Sequence, residues 1–184
     1  AITENRNVIV KTGRQVGKTT TTIGWILHYA LFNKDKVIGS LANKAIPARE
    51  ILGRIQTSYQ HLPKFLQQGL REWNKGSMEL ENGSKIIASS TSSSAIRGFS
   101  FSVILLDEFA HVHRHIATEF IKSVYPTISS GKETKVIIVS TPNGFNLFYK
   151  FWNDAENGNN SFFPFKVHWS NVPGRDAEWR NKIV

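Results

Sequence analysis

The chain has no cysteine. Disulfides and thiolate metal sites are therefore excluded, and the redox state of its compartment stays open. It has no run of about 18 apolar residues and no basic segment leading into an apolar one, so neither a membrane span nor a secretory leader is indicated. That absence suits an intracellular protein, and no membrane partner is expected. Acidic residues are outnumbered, 14 against 23 Lys and Arg, for a formal net charge of +9. The surplus favours polyanionic partners such as nucleic acid or nucleotides, although spread-out charge makes no patch. There is no internal repeat and no long linker. A length of 184 residues with 40% hydrophobic residues suits one domain with a sizeable core. The chain opens on Ala1 rather than Met, which reads as an excised fragment or a processed chain.

Short apolar runs alternate with longer helical patterns. Asn7 to Lys11 is β-branched and reads as a strand, as do Val37–Ala42, Val103–Leu106, Lys135–Val139 and Phe163–Trp169. A helix is expected from about Thr19 to Phe32. Ile23, Ile26, Leu27, Ala30 and Leu31 form one apolar face, and Trp25, Tyr29 and Phe32 a second, which predicts packing on both sides. Pro47 sits near the start of a second helix, with Ile51, Leu52, Ile55 and Tyr59 as its buried stripe. Ser77–Ser89 reads as a hairpin turning at Asn82-Gly83. Further helices are expected near Ile116–Val124 and Asn146–Ala155. Strand–helix alternation with continuously apolar strands predicts an α/β fold with a mostly parallel sheet covered on both faces.

Between the first strand and first helix lies Thr12-Gly-Arg-Gln-Val-Gly-Lys-Thr-Thr20. A loop of this kind wraps nucleotide phosphates with backbone N–H groups, and the following helix N-terminus adds positive potential. Lys18 would reach the β- and γ-phosphates, and the Thr19 hydroxyl would ligate Mg²⁺. The full pattern has glycine first, and Thr12 stands there instead. A Gly-rich turn with a chance Gly-Lys-Thr is the bland alternative, which the flanking strand and helix disfavour.

Val103-Ile-Leu-Leu-Asp107-Glu108 supplies the second half. An apolar strand ending in a carboxylate puts Asp107 at the sheet edge, beside the loop, where Mg²⁺ belongs. Glu108 suits a base that polarises an attacking water. A strand that happens to end in exposed acids is the alternative for this segment alone, and the two halves together, at a plausible spacing, disfavour it. A guanine-nucleotide reading is weaker, because Asn33-Lys34-Asp35-Lys36 ends in lysine and follows a helix. His111, His113 and His115 alternate, but with no acidic or fourth ligand they read as surface polar residues rather than a zinc site. Trp73, Lys75, Lys85 and Arg97 mix aromatics with cations, as DNA-contacting surfaces can, although a tryptophan such as Trp73 is more often a packing residue.

With Arg14 and Gln15 inside it, the loop resembles that of the large terminase subunit of tailed phages, and is most similar to the T-even-like myovirus branch. The likeness extends to Phe32-Asn-Lys-Asp-Lys36, Glu72-Trp-Asn-Lys-Gly-Ser77, Glu81-Asn-Gly-Ser84, Ala95-Ile-Arg-Gly98, Asp107-Glu108, Ile128-Ser-Ser-Gly131 and Ser140-Thr-Pro-Asn-Gly144, spanning about residues 8 to 170. The resemblance implies a three-layer P-loop NTPase of the ASCE or RecA-like kind, hydrolysing ATP with Mg²⁺ to drive double-stranded DNA into a procapsid. It implies a phosphate cradle of Gly13, Gln15, Gly17, Lys18, Thr19 and Thr20, with Thr19 and Asp107 on the metal. Glu108 would be the catalytic carboxylate and Arg14 an arginine acting in cis on the γ-phosphate. Ser140 and Thr141 would sense that phosphate, with Asn143 a weaker candidate. An ordinary Ser/Thr cap before a Pro turn is the alternative for the pair. Arg97 would reach a neighbouring subunit's nucleotide in a homo-oligomeric ring; a loop arginine facing solvent or DNA is equally compatible with its spacing.

The implied partners are duplex DNA, the portal of the procapsid and the small terminase subunit. The implied place is the host cell cytoplasm, at the procapsid. The whole chain, 1–184, reads as one motor domain. The family's adenine-contacting segment precedes the phosphate-loop strand, and few residues precede it here. The family's C-terminal nuclease domain lies beyond Val184, so no DNA cleavage is expected of this chain. A helicase- or recombinase-like ATPase, or a nucleotide-binding fragment without turnover, are the rival readings.

Overall fold

A computed structural model describes residues 1–91, 98–130 and 134–183, and their side chains apart from those of 125–130 and 183. Among these residues eight strands form one sheet. They are β1 (Asn7–Thr12), β2 (Val37–Ala42), β3 (Leu70–Trp73), β4 (Ser77–Leu80), β5 (Lys85–Ser90), β6 (Val103–Asp107), β7 (Lys135–Ser140) and β8 (Phe163–Val167). The helices are α1 (Lys18–Phe32), α2 (Ala45–Gln60), α3 (Arg114–Ser130), α4 (Leu147–Glu156) and α5 (Ala177–Ile183). The strand order is β3-β4-β5-β2-β6-β7-β1-β8. Strands β5 through β8 in that order run parallel, and β3 and β4 add an antiparallel edge.

The central strands are apolar along their whole length because both faces are covered, and their alternation divides the core in two. Val8 and Val10, Val103 and Leu105, and Ile137 and Val139 join Ile23, Ile26, Leu27, Ile51, Leu52 and Ile55 under α1 and α2. Ile9, Ile104, Leu106, Val136 and Ile138 face the other way, onto Phe120, Phe148 and Trp152 of α3 and α4. The product is a three-layer sandwich with a mostly parallel sheet.

The second apolar face expected of α1 is only half covered. Trp25 and Tyr29 stack on each other at 5.1 Å and are partly buried, but Phe32 is 62% exposed. Helix α3 continues beyond Val124, through Pro126, to Ser130. Asn82-Gly83 turns the β4–β5 hairpin as read from the sequence, with Gly83 at φ 84°, where a Cβ would meet the Asp35 carboxylate. Strand β3 had no sequence signal; it is short, exposed and polar.

Candidate functional site

Strands β6, β7 and β1 are parallel neighbours, so their C-terminal ends open onto one edge, the place where α/β sheets hold ligands. The register aligns Asp107 with Val139 and Val139 with Val10; one residue further on, Ser140 aligns with Lys11. The segments that follow Thr12, Asp107 and Ser140 therefore emerge side by side.

Thr12 is the last residue of β1 and is not in a positive-φ conformation, so glycine is not required there. The chain then turns through Gln15 at φ 55° and Gly17 at φ 80°. Left-handed residues among right-handed ones turn successive N–H groups to one side and form an anion-binding concavity. Helix α1 begins directly at Lys18 with no side-chain cap and no acidic residue in its first turn. Its first amides thus keep their positive potential for a phosphate. Helix α4 differs, since the Asn146 side chain accepts from the Tyr149 amide at 3.1 Å. Gly13, Arg14, Gln15, Gly17, Lys18, Thr19 and Thr20 all lie on this loop and first turn. Arg14 and Gln15 are exposed at its tip. The Thr20 hydroxyl accepts from Arg54 of α2 at 3.3 Å.

Lys18 Nζ donates to Glu108 Oε1, which joins the two motifs across the sheet edge. The other oxygen of Glu108 accepts from the Thr141 amide at 3.3 Å, the Thr141 hydroxyl at 3.2 Å and, at 3.4 Å, the Ser140 hydroxyl. Glu108 holds φ at 50°, a conformation that costs a non-glycine residue of order 1–3 kcal/mol and clusters at functional sites. The structure therefore brings Lys18, Glu108, Ser140 and Thr141 into one network. His111 joins it, unforeseen from the sequence: its Nε2 is 3.0 Å from the Thr141 hydroxyl and 3.7 Å from Glu108 Oε2.

The two adjacent acids are tuned apart. Burial pushes Glu108 up, but the hydrogen bond and charge of Lys18, with the Thr141 donors, outweigh it and hold its pKa below the ordinary glutamate value. Burial pushes Asp107 up, and the neighbouring Glu108 charge adds to that, against the opposing pull of Lys18 and Arg54; its pKa ends above the ordinary aspartate value. A raised folded-state pKa means that the unfolded chain ionises first. Stability is then lost as pH rises from the unfolded value through the folded one. Asp107→Asn is therefore expected to raise the melting temperature of the nucleotide- and metal-free chain at neutral pH. The gain should vanish on acidification below the usual aspartate range, and melting curves at the two pH values check both halves.

Asn143 Nδ2 donates to the Ala110 carbonyl at 3.3 Å rather than to either acid. His113 and His115 have ring centroids 6.3 Å apart, and the described residues contain no group of three potential His, Cys, Asp or Glu metal ligands. Trp73 packs on Tyr59 at 5.9 Å, and Lys85 is paired with Glu72 at 2.5 Å and Glu79 at 3.4 Å. Arg97 lies outside the described residues.

The family model of the terminase large subunit, T4likevirus-type, N-terminal, matches residues 9–182. Among solved structures, the large terminase ATPase domain of Thermus phage P74-26 aligns with a TM-score of 0.77 at 18% identity, over 97% of this chain and 82% of that one. The large terminase of bacteriophage HK97 aligns at 0.76 and 20% identity, over 96% of this chain and 38% of that one. A large terminase of a thermophilic bacteriophage, solved in complex with ATP-gamma-S, aligns at 0.71 and 10% identity, over 99% of this chain and 44% of that one. At such identities the structural likeness shows the fold, that of the P-loop ATPase part of large terminases. It spans less than half of the HK97 and the ATP-gamma-S-bound chains. The family match covers nearly the whole sequence, and the chain belongs to the T4likevirus-type terminase large subunit family, in its N-terminal part.

Proposed function

We propose that this chain binds and hydrolyses ATP and that hydrolysis drives double-stranded DNA into a viral procapsid. The observation that carries the reading is the direct Lys18–Glu108 contact, because it puts a phosphate-binding cation and a candidate base in one cleft. The amides of residues 13 to 19 would hold the triphosphate, and Lys18 would neutralise its charge. With Lys18 drawn onto phosphate, Glu108 is released to orient a water for in-line attack and take its proton. Ser140 and Thr141 hold the second oxygen of Glu108 and so fix its orientation. Arg14, exposed at the loop tip, would counter charge on the transferring group; such an arginine is worth about 10³–10⁵ in rate.

The donor chemistry fits Mg²⁺. Thr19 and Asp107 offer hard oxygens on the two segments that Lys18 and Glu108 join, and a buried carboxylate whose ionisation is disfavoured gains most from a cation. Mg²⁺ held there would neutralise phosphate charge. Family membership supports duplex DNA, the procapsid portal and the small terminase subunit as partners, a homo-oligomeric ring as the working state, and the host cytoplasm at the procapsid as its place. It also supports Arg97 acting on a neighbouring subunit's nucleotide.

The test is phosphate release from ATP and Mg²⁺, by the chain alone and then with the other packaging components. Turnover that rises on assembly is expected. Nucleotide binding without turnover under both conditions would leave only a nucleotide-binding fragment.

A further inference from the structure

The segment after β8 returns to the phosphate loop. One guanidinium of the half-buried Arg175 donates to two consecutive backbone carbonyls, from Nη1 to Arg14 at 3.2 Å and from Nη2 to Gln15 at 2.7 Å. The same group lies 4.6 Å from the centroid of the Trp179 ring. Trp179 stacks on Trp169 at 5.9 Å with 26° between the planes, and Arg180 lies 5.8 Å from Trp169. Two stacked indoles thus lie between two cations, one of which, Arg175, ends on the loop.

The peptide geometry gives this contact a meaning. In a trans peptide the N–H points away from the C=O of the same plane. The carbonyl of Arg14 shares its plane with the amide of Gln15, and the carbonyl of Gln15 with the amide of Val16. A cation that gathers both carbonyls on one side therefore turns the Gln15 and Val16 amides to the other. Gln15 is also the loop's non-glycine residue at positive φ, a conformation that persists only when its surroundings enforce it. Arginine suits the task because its planar fork presents two donors in fixed geometry, whereas lysine presents a point charge. Trp179 limits where that fork can go.

We propose that Arg175 is a positioning residue for the phosphate loop: its grip on the Arg14 and Gln15 carbonyls holds the Gln15 and Val16 amides turned toward the triphosphate and sets the base from which the Arg14 side chain projects. The proposal rests on the ATPase reading for its ligand. It also ties nucleotide affinity to the docking of the 169–180 segment, about 160 residues distant in sequence.

The experiment compares the chain with Arg175→Ala and Arg175→Lys, measuring ATP affinity, kcat and KM where turnover is present, and melting temperature. Arg175→Ala should weaken ATP binding about tenfold, as loss of charge-assisted hydrogen bonds predicts. Its melting temperature should stay near that of the parent, and its KM should move more than kcat. Arg175→Lys should stay closer to the alanine variant than to the parent. Free guanidinium ion at non-denaturing concentration should restore affinity to Arg175→Ala and not raise that of the parent. A parent chain that binds ATP with Arg175→Ala matching it overturns this inference alone. So does Arg175→Lys at full affinity, or a loss that follows the melting temperature and resists guanidinium. A parent that binds no nucleotide overturns the ATPase reading and this inference with it.

Discussion

Lys18→Ala is expected to abolish ATP binding at any practical concentration. The ammonium is mostly buried, at 11% side-chain exposure, and faces the cleft that the loop amides surround. Truncating one partner of a buried, hydrogen-bonded charge pair between protein and ligand costs about 2–5 kcal/mol or more, up to several thousandfold in affinity. The variant has a second signature in the nucleotide-free chain. Lys18 is the main force holding the Glu108 pKa down against burial. A depressed carboxylate contributes stability above its unfolded pKa and loses it as pH falls through the folded value. Without Lys18 that contribution disappears and burial acts on Glu108 with less opposition, so the variant should be less stable than the parent at neutral pH, with the gap closing as pH falls through the carboxylate range. Titration calorimetry with ATP and acid-unfolding curves measure the two effects. Affinity within tenfold of the parent would show that the loop does not hold phosphate through this side chain.

Glu108→Gln separates binding from chemistry. Glutamine keeps the length of the side chain and an oxygen that can accept from Thr141, but it takes no proton and carries no charge. ATP binding should persist and can tighten, since Lys18 no longer has a competing carboxylate. Turnover should fall by about 10²–10⁴, the usual contribution of a positioned general base. Glu108 is ionised at neutral pH, and once Lys18 is drawn onto phosphate the main pull holding its pKa down is gone while burial remains, which makes it a better proton acceptor. Hydrolysis by Glu108→Gln at the parental rate would remove Glu108 from the chemistry and leave Asp107 or a solvent path to be considered.

The sequence made the cleft legible wherever the chemistry is local. The continuously apolar runs at Val37–Ala42, Val103–Leu106 and Lys135–Val139 announce two-sided burial, while Gly17-Lys18-Thr19 opens α1 and Asp107-Glu108 falls at the end of β6. What depends on contacts across the sheet was not legible. Placing β7 between β1 and β6 brings Ser140 and Thr141 to Glu108, over 30 residues away in the chain. No spacing reveals that His111 completes the group, or that Arg175 reaches the loop tip. Strand β3 escaped because Leu-Arg-Glu-Trp has no buried face and owes its pairing to β4. The covered second face of α1 was over-read, because Phe32 lies near His28, at 4.8 Å between ring centroids, and mainly against solvent.

The turn after Glu108 is tied at both ends of one residue. The Ala110 amide donates to the Ser140 hydroxyl at 3.0 Å, and the Ala110 carbonyl accepts from Asn143 at 3.3 Å and Asn146 at 2.7 Å. Asn146 is also the cap of α4. The residue next but one to Glu108 is thus fastened to the start of a helix, with Phe145 90% exposed just ahead of it. In mechanical terms, the turn that carries the carboxylate and a ten-residue rod are anchored at a single point, Ala110.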